Sequence, residues 1–151
     1  MVGPTSGIIF LDSRYQAKGI NKAKPPVYVS LSRLLRDNTK KDEIIVTNLD
    51  TWGSWYGERK TVWFPLAPDE LDIKVADKIP YDAIYLVSYK INDENYYMGE
   101  EWRQIFENPE DIKNEFIAKN FVLKGVFSVS ANETFEKENA RAVLLTKIPK
   151  N

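Results

Sequence analysis

The chain contains neither cysteine nor histidine. Without cysteine there are no disulfides, no thiolate zinc sites and no cysteine nucleophile. Without histidine there is no imidazole general base, no histidine-ligated metal and no Ser-His-Asp triad. Long apolar runs are also missing, and none approaches the roughly 18 residues that a spanning helix requires. The run Ile8 to Leu11 is too short for the core of a signal peptide, and no basic region precedes it. These absences lead us to expect no secretion signal, no membrane contact, and a place in the cytoplasm or within an assembled particle. No G-x-G-x-x-G, no G-x-x-x-x-G-K-[ST] and no EF-hand loop occurs. We therefore expect no cofactor.

What is present suits a folded domain. The 151 residues are 43% hydrophobic and 13% aromatic, enough to bury a core without covalent staples. We read residues 1–151 as one domain. The net charge of −1 favours neither nucleic acid nor an anionic membrane. Its distribution is uneven. Residues 1–41 carry eight bases (Arg14, Lys18, Lys22, Lys24, Arg33, Arg36, Lys40 and Lys41) against Asp12 and Asp37, a local charge of +6. Residues 92–115 carry eight acids against Arg103 and Lys113, a local charge of −6.

Local patterns give an element order. A short strand at Gly7 to Leu11 is followed by a polar, basic stretch ending in Pro25-Pro26, read as an extended arm over residues 13–26. Val27 to Val29 has strand propensity. Ser30 then reads as the N-cap of a short helix with Leu31, Leu34 and Leu35 on one face. Glu43 to Leu49 and Thr61 to Phe64 read as two strands of a hairpin with a long aromatic tip. Leu71, Ile73 and Val75 alternate with polar residues as a weak edge strand. Ala83 to Ile91 is the clearest strand, with Asn92 to Asn95 as a turn and Tyr96 to Met98 returning. A helix over Gly99 to Glu107 presents Trp102, Ile105 and Phe106. A second helix is expected to start at Asn108 as cap and Pro109 as first residue, burying Ile112, Phe116 and Ile117. Phe121 to Val129 and Ala140 to Ile148 close the chain as strands. The expected class is α+β: a mostly antiparallel sheet of five to seven strands, with two or three short helices packed on one face.

The most unusual segment runs from Thr51 to Lys60. It places Trp52, Trp55 and Tyr56 among two glycines, followed by Arg59 and Lys60. Aromatics beside cations suit an interface hot spot or stacking on bases and sugars. Folding back as a lid over the core is the competing reading. Trp63 and Phe64 are read as core. Carboxylates, Lys and Tyr are the remaining acid–base groups. The letters of a metal-dependent nuclease occur at Asp69 with Asp72 and Lys74, but too close together for two adjacent strands. They recur at Glu110, Asp111 and Lys113, where a helix start explains them. Asp82 with Lys90 has better topology and lacks a second acid. Glu100, Glu101 and Glu107 flank Trp102, as a glycosidase pair would, yet acids are expected at a helix start. Glu136-Lys137-Glu138 is an isolated acid-x-acid pair.

These features favour a non-enzymatic protein–protein interaction module, either an assembly component of a larger particle or an inhibitor-type binder. The binding residues would be Trp52, Trp55, Tyr56, Arg59 and Lys60, with Arg14, Lys18, Lys22 and Lys24 of the arm. The expected partner is another protein or a second copy. The alternative is a small metal-dependent nuclease or hydrolase using Asp/Glu and Lys. A third reading is nucleic-acid binding by the arm and the aromatic loop.

Overall fold

β-branched and aliphatic residues fill a sheet that is covered on both faces. In a computed structural model, which describes residues 24–49, 55–71, 81–88, 98–135 and 139–149, the elements follow in chain order. They are α1 (Val27–Asn38), β1 (Ile44–Thr47), β2 (Lys60–Trp63), β3 (Ala83–Ser88), α2 (Glu100–Glu107), α3 (Glu115–Asn120), β4 (Phe121–Val129) and β5 (Ala140–Lys147). The spatial order of the strands is β2-β1-β3-β5-β4. The class is α+β, but the sheet is mixed rather than mostly antiparallel. β1 runs parallel to both β2 and β3, while β5 runs antiparallel to β3 and β4.

The pairing of β1 with β2 replaces the expected hairpin. Ile44 lies opposite Lys60 and Thr47 opposite Trp63, so the chain must return to the starting end of β1 before β2 begins. Such a return needs roughly a dozen residues, and residues 48–59 supply it. The glycine-rich aromatic stretch is thus part of a crossover, not a turn tip.

The helices lie on both faces of the sheet, which corrects the one-face expectation. Alternate strand residues separate two apolar layers. Ile84 and Leu86 of β3, with Val143 and Leu145 of β5, meet Trp102, Ile105 and Ile117 from α2 and α3. Ala83, Tyr85 and Val87, with Ala142 and Leu144, meet Val27, Leu31 and Leu35 of α1. β3 is consequently buried from Ala83 to Val87, as central strands with two covered faces are.

α1 begins four residues earlier than expected, with Pro26 and not Ser30 at its N-cap. The carbonyl of Pro26 accepts from the N–H groups of Val29 and Ser30, so Val27 to Val29 form its first turn and not a strand. Val27, Leu31 and Leu35 recur at helical spacing and are fully or almost fully buried. Burial of that stripe outweighs the β propensity of two valines.

The start of α3 is also shifted. Asn108 ends α2, its N–H donating to the Gln104 carbonyl, and the cap of α3 is Asn114, whose Oδ1 accepts from Ile117 N at 3.0 Å. Gln104 spans the intervening loop, donating to the Asp111 carbonyl and accepting from Lys113 N. A helix starting at Asn108 would leave no room for this turn.

Among the described residues, no helix is long and apolar enough to cross a membrane. The expected strands at 7–11 and 72–75, most of the arm, and the hairpin partner at 96–97 lie outside the described residues.

Candidate interaction surface

The sequence grouped three aromatics with two cations; among the described residues, the fold sends Tyr56 and Arg59 to different ends of α1. Tyr56 packs on Tyr28 of the first turn of α1, ring centroids 6.1 Å apart and tilted by 46°. Arg59 instead reaches the last turn of the same helix. Its Nε donates to Thr39 Oγ1 at 2.9 Å, and its Nη2 donates to the carbonyls of Arg36 and Thr39, both at 2.8 Å. Tyr56 and Arg59 therefore reach opposite ends of α1 through their side chains. Tyr56 marks one end and Arg59 the other.

Arg59 is a helix-end device. Its side chain is buried, and Nη1 donates to the Glu58 carbonyl. Thr39 Oγ1 donates to the Leu35 carbonyl, and Lys124 Nζ donates to the Asn38 carbonyl. Side chains thereby satisfy carbonyls that a helix leaves without partners, and two cations sit at the negative end of its dipole. The turn into Arg59 is sharp, with Glu58 at φ 53°. Lys60 opens β2 and is exposed at the edge of the sheet.

The aromatic end is the more open one. Trp55 is 51% exposed, with Tyr56 and Tyr28 half-buried beside it. Lys24, also exposed, lies three residues ahead of α1 and so near the same end. The fold thus joins two features that are far apart in sequence, the end of the arm and the aromatic loop. Tyr28 is the contact that sequence reasoning missed, because a strand reading of Val27 to Val29 hid its place on a helix. Arg14, Lys18, Lys22 and Trp52 lie outside the described residues. Trp63, read as core, is 51% exposed at the edge of the sheet, its ring edge-on to Phe64. β2 is an outer strand, so its alternate side chains are only partly covered.

The carboxylates are arranged differently from the catalytic patterns. Asp69 follows β2, and Asp82 precedes β3, where its Oδ2 accepts from Ile44 N at 2.9 Å. They lie at opposite ends of the parallel strands. Lys74, Lys90 and the Glu136–Glu138 pair lie outside the described residues. A pairing the sequence did not reveal joins Asp69 to Glu101. Both accept from Asn114 Nδ2, at 3.0 and 2.7 Å, beside an open hollow of about 230 Å³ that Glu100, Gln104 and Lys113 also line. Among the described residues, no group of three or more acids could hold a metal ion.

In open sheets with parallel strands, ligands often enter where neighbouring connections diverge. Here β1 gives way to β2 on one side and β3 on the other. At that point Asn48 pairs with Val87 through both polar atoms of its side-chain amide, Nδ2 donating to Val87 O at 2.9 Å and Oδ1 accepting from Val87 N at 2.8 Å. The Asn48 side chain continues the ladder that the backbone leaves. Burial pushes the Tyr85 phenol up in pKa, and its hydroxyl donates to the Leu31 carbonyl at 2.7 Å. It ties β3 to α1 beneath the aromatic end.

Comparison with protein-family models, with curated proteins and with solved structures gives no match.

Proposed function

We propose that the protein is a non-enzymatic interaction module that contacts another protein through the aromatic end of α1. One observation carries this reading: the packing of Tyr56 on Tyr28, which sets half-exposed Trp55 beside them at the end of a helix entered through Lys24. Large aromatic side chains with basic neighbours have the composition of interface hot spots. The surface rests on α1, which is held to the sheet by Leu31, Leu35 and the Tyr85 hydroxyl. A surface held in place before contact loses little freedom on binding. The separation of Arg59 from the aromatics weighs against a nucleic-acid groove, where cations and stacking rings line one path.

The test replaces Trp55 with the photo-crosslinking residue benzoylphenylalanine and irradiates the full chain in an extract of its source cells. A control carries the same residue at exposed Ser128 on β4. The expected outcome is one dominant protein adduct from position 55 that is missing from position 128. Adducts to nucleic acid, or equal labelling from both positions, would overturn the reading.

A further inference from the structure

The exposed residue Leu66 provides a candidate counterpart to the aromatic surface. It is 84% exposed, the most open large apolar residue among those described. Its backbone lies against the N-terminal end of α2, where a Cβ on Gly99 would stand 3.4 Å from the Leu66 carbonyl. The neighbouring Pro65 carbonyl accepts from Trp102 Nε1 at 2.8 Å, and Trp102 stacks at a tilt on Phe64. Leu66 is thus presented by an anchored loop. Acids lie close to this loop: Glu100 and Glu101 follow Gly99 and open α2, and Asp69 is linked to Glu101 through Asn114. Glu100 forms no ion pair with another described residue.

We infer that Leu66 of one copy, beside the acidic start of α2, docks on the Tyr28–Trp55–Tyr56 surface of a second copy, against Lys24. This deepens the proposed function and rests on it. The two surfaces are complementary in kind. One is aromatic with Lys24 just ahead of its helix; the other is a single exposed aliphatic residue close to the acidic start of α2. α1 and α2 cover opposite faces of the sheet, so the two surfaces of one molecule face apart. The contact is therefore between different patches, head to tail, and propagates into a ring or an open chain. The charges speed encounter and set the register, while the apolar contact supplies most of the adhesion.

Sedimentation velocity of the full chain, at low and high salt over a range of concentrations, tests the inference. The chain is expected to associate with rising concentration and to associate less at high salt. Leu66→Ala, Trp55→Ala, Lys24→Glu and Glu100→Lys should each weaken association by about tenfold or more, with circular dichroism showing intact folds. Mixing the Lys24→Glu and Glu100→Lys chains should restore part of it, because each retains the surface the other lacks. A monomer at low salt and the highest concentration would overturn the inference. So would charge variants that change only the stability of a monomer, the outcome of pairing within one chain. Association that depends on Trp55 but is unchanged by Leu66→Ala and Glu100→Lys would overturn this docking partner while leaving the aromatic surface as a contact site. Loss of the position-55 crosslink described above would remove the surface itself.

Discussion

Tyr85 shows how one buried polar group connects layers. It is the largest β3 side chain facing α1, and its hydroxyl has one partner that it needs, the Leu31 carbonyl. Removing the hydroxyl by Tyr85→Phe should cost about 1 kcal/mol near neutral pH. The pH dependence gives a sharper test. Burial raises the pKa of the folded phenol above its ordinary value, so the folded state keeps a proton that the unfolded chain releases above about pH 10. Stability linked to Tyr85 is complete below that point and declines above it by about 1.4 kcal/mol per pH unit. Urea unfolding should therefore show the advantage of the native residue over Tyr85→Phe disappearing about one unit above the ordinary tyrosine pKa. A constant gap between the two chains across that range would refute the assignment. Residue identities at the surface were less legible than Tyr85. Arg59 reads as a binding cation next to aromatics, yet four of its N–H groups bond to Thr39, Glu58 and Arg36. A local sequence window holds no sign of a helix end twenty residues away.

Among the elements, the helices show where local signals succeed and where they mislead. The helix over Trp102, Ile105 and Phe106 was readable from its apolar spacing, and all three are buried in α2. The start of α3 was not. Asn108-Pro109 has the letters of a helix start, but Asn114 makes the cap hydrogen bond. Both are asparagines ahead of an acidic residue or two, so composition alone does not rank them. The loop held by Gln104 decides between them. Asn114→Ala should therefore lower stability by about 1 kcal/mol and speed amide exchange in residues 115–120. Asn108→Ala should leave exchange there unchanged, since its side chain caps nothing in α3. Equal effects at both positions would contradict the helix boundary. The crossover between β1 and β2 was missed for a related reason. Two strand signals and an intervening Gly-rich stretch define the strands but not their relative direction. Direction depends on how the returning chain packs on α1, through Tyr28 at one end and Arg36 and Thr39 at the other.

For the whole molecule, one sheet carries two cores, and this governs how damage spreads. Alternate residues of β3 and β5 serve opposite faces, so neither core exists without the strands of the other. The one-face expectation rests on the order of strands and helices along the chain, which does not say which face each helix covers. Both sets from Ala83 to Val87 are buried, since α1 supplies the second cover. A shared sheet makes unfolding of the two faces a single event, while the distance across it keeps local losses independent. Leu31→Ala, on the α1 side, should cost about 2–5 kcal/mol, and Ile105→Val, on the α2 side, about 0.5–1.5 kcal/mol. The double variant should lose the sum within about 0.5 kcal/mol, because the two sites share no neighbour across the strands. Each chain should unfold in urea through one transition, with the same midpoint by buried-tryptophan fluorescence and by far-ultraviolet circular dichroism. Trp102 reports on the α2 face alone, so a Leu31→Ala chain in which fluorescence and circular dichroism separate would show the faces melting independently. Coincident transitions would show that the strands between them transmit the loss.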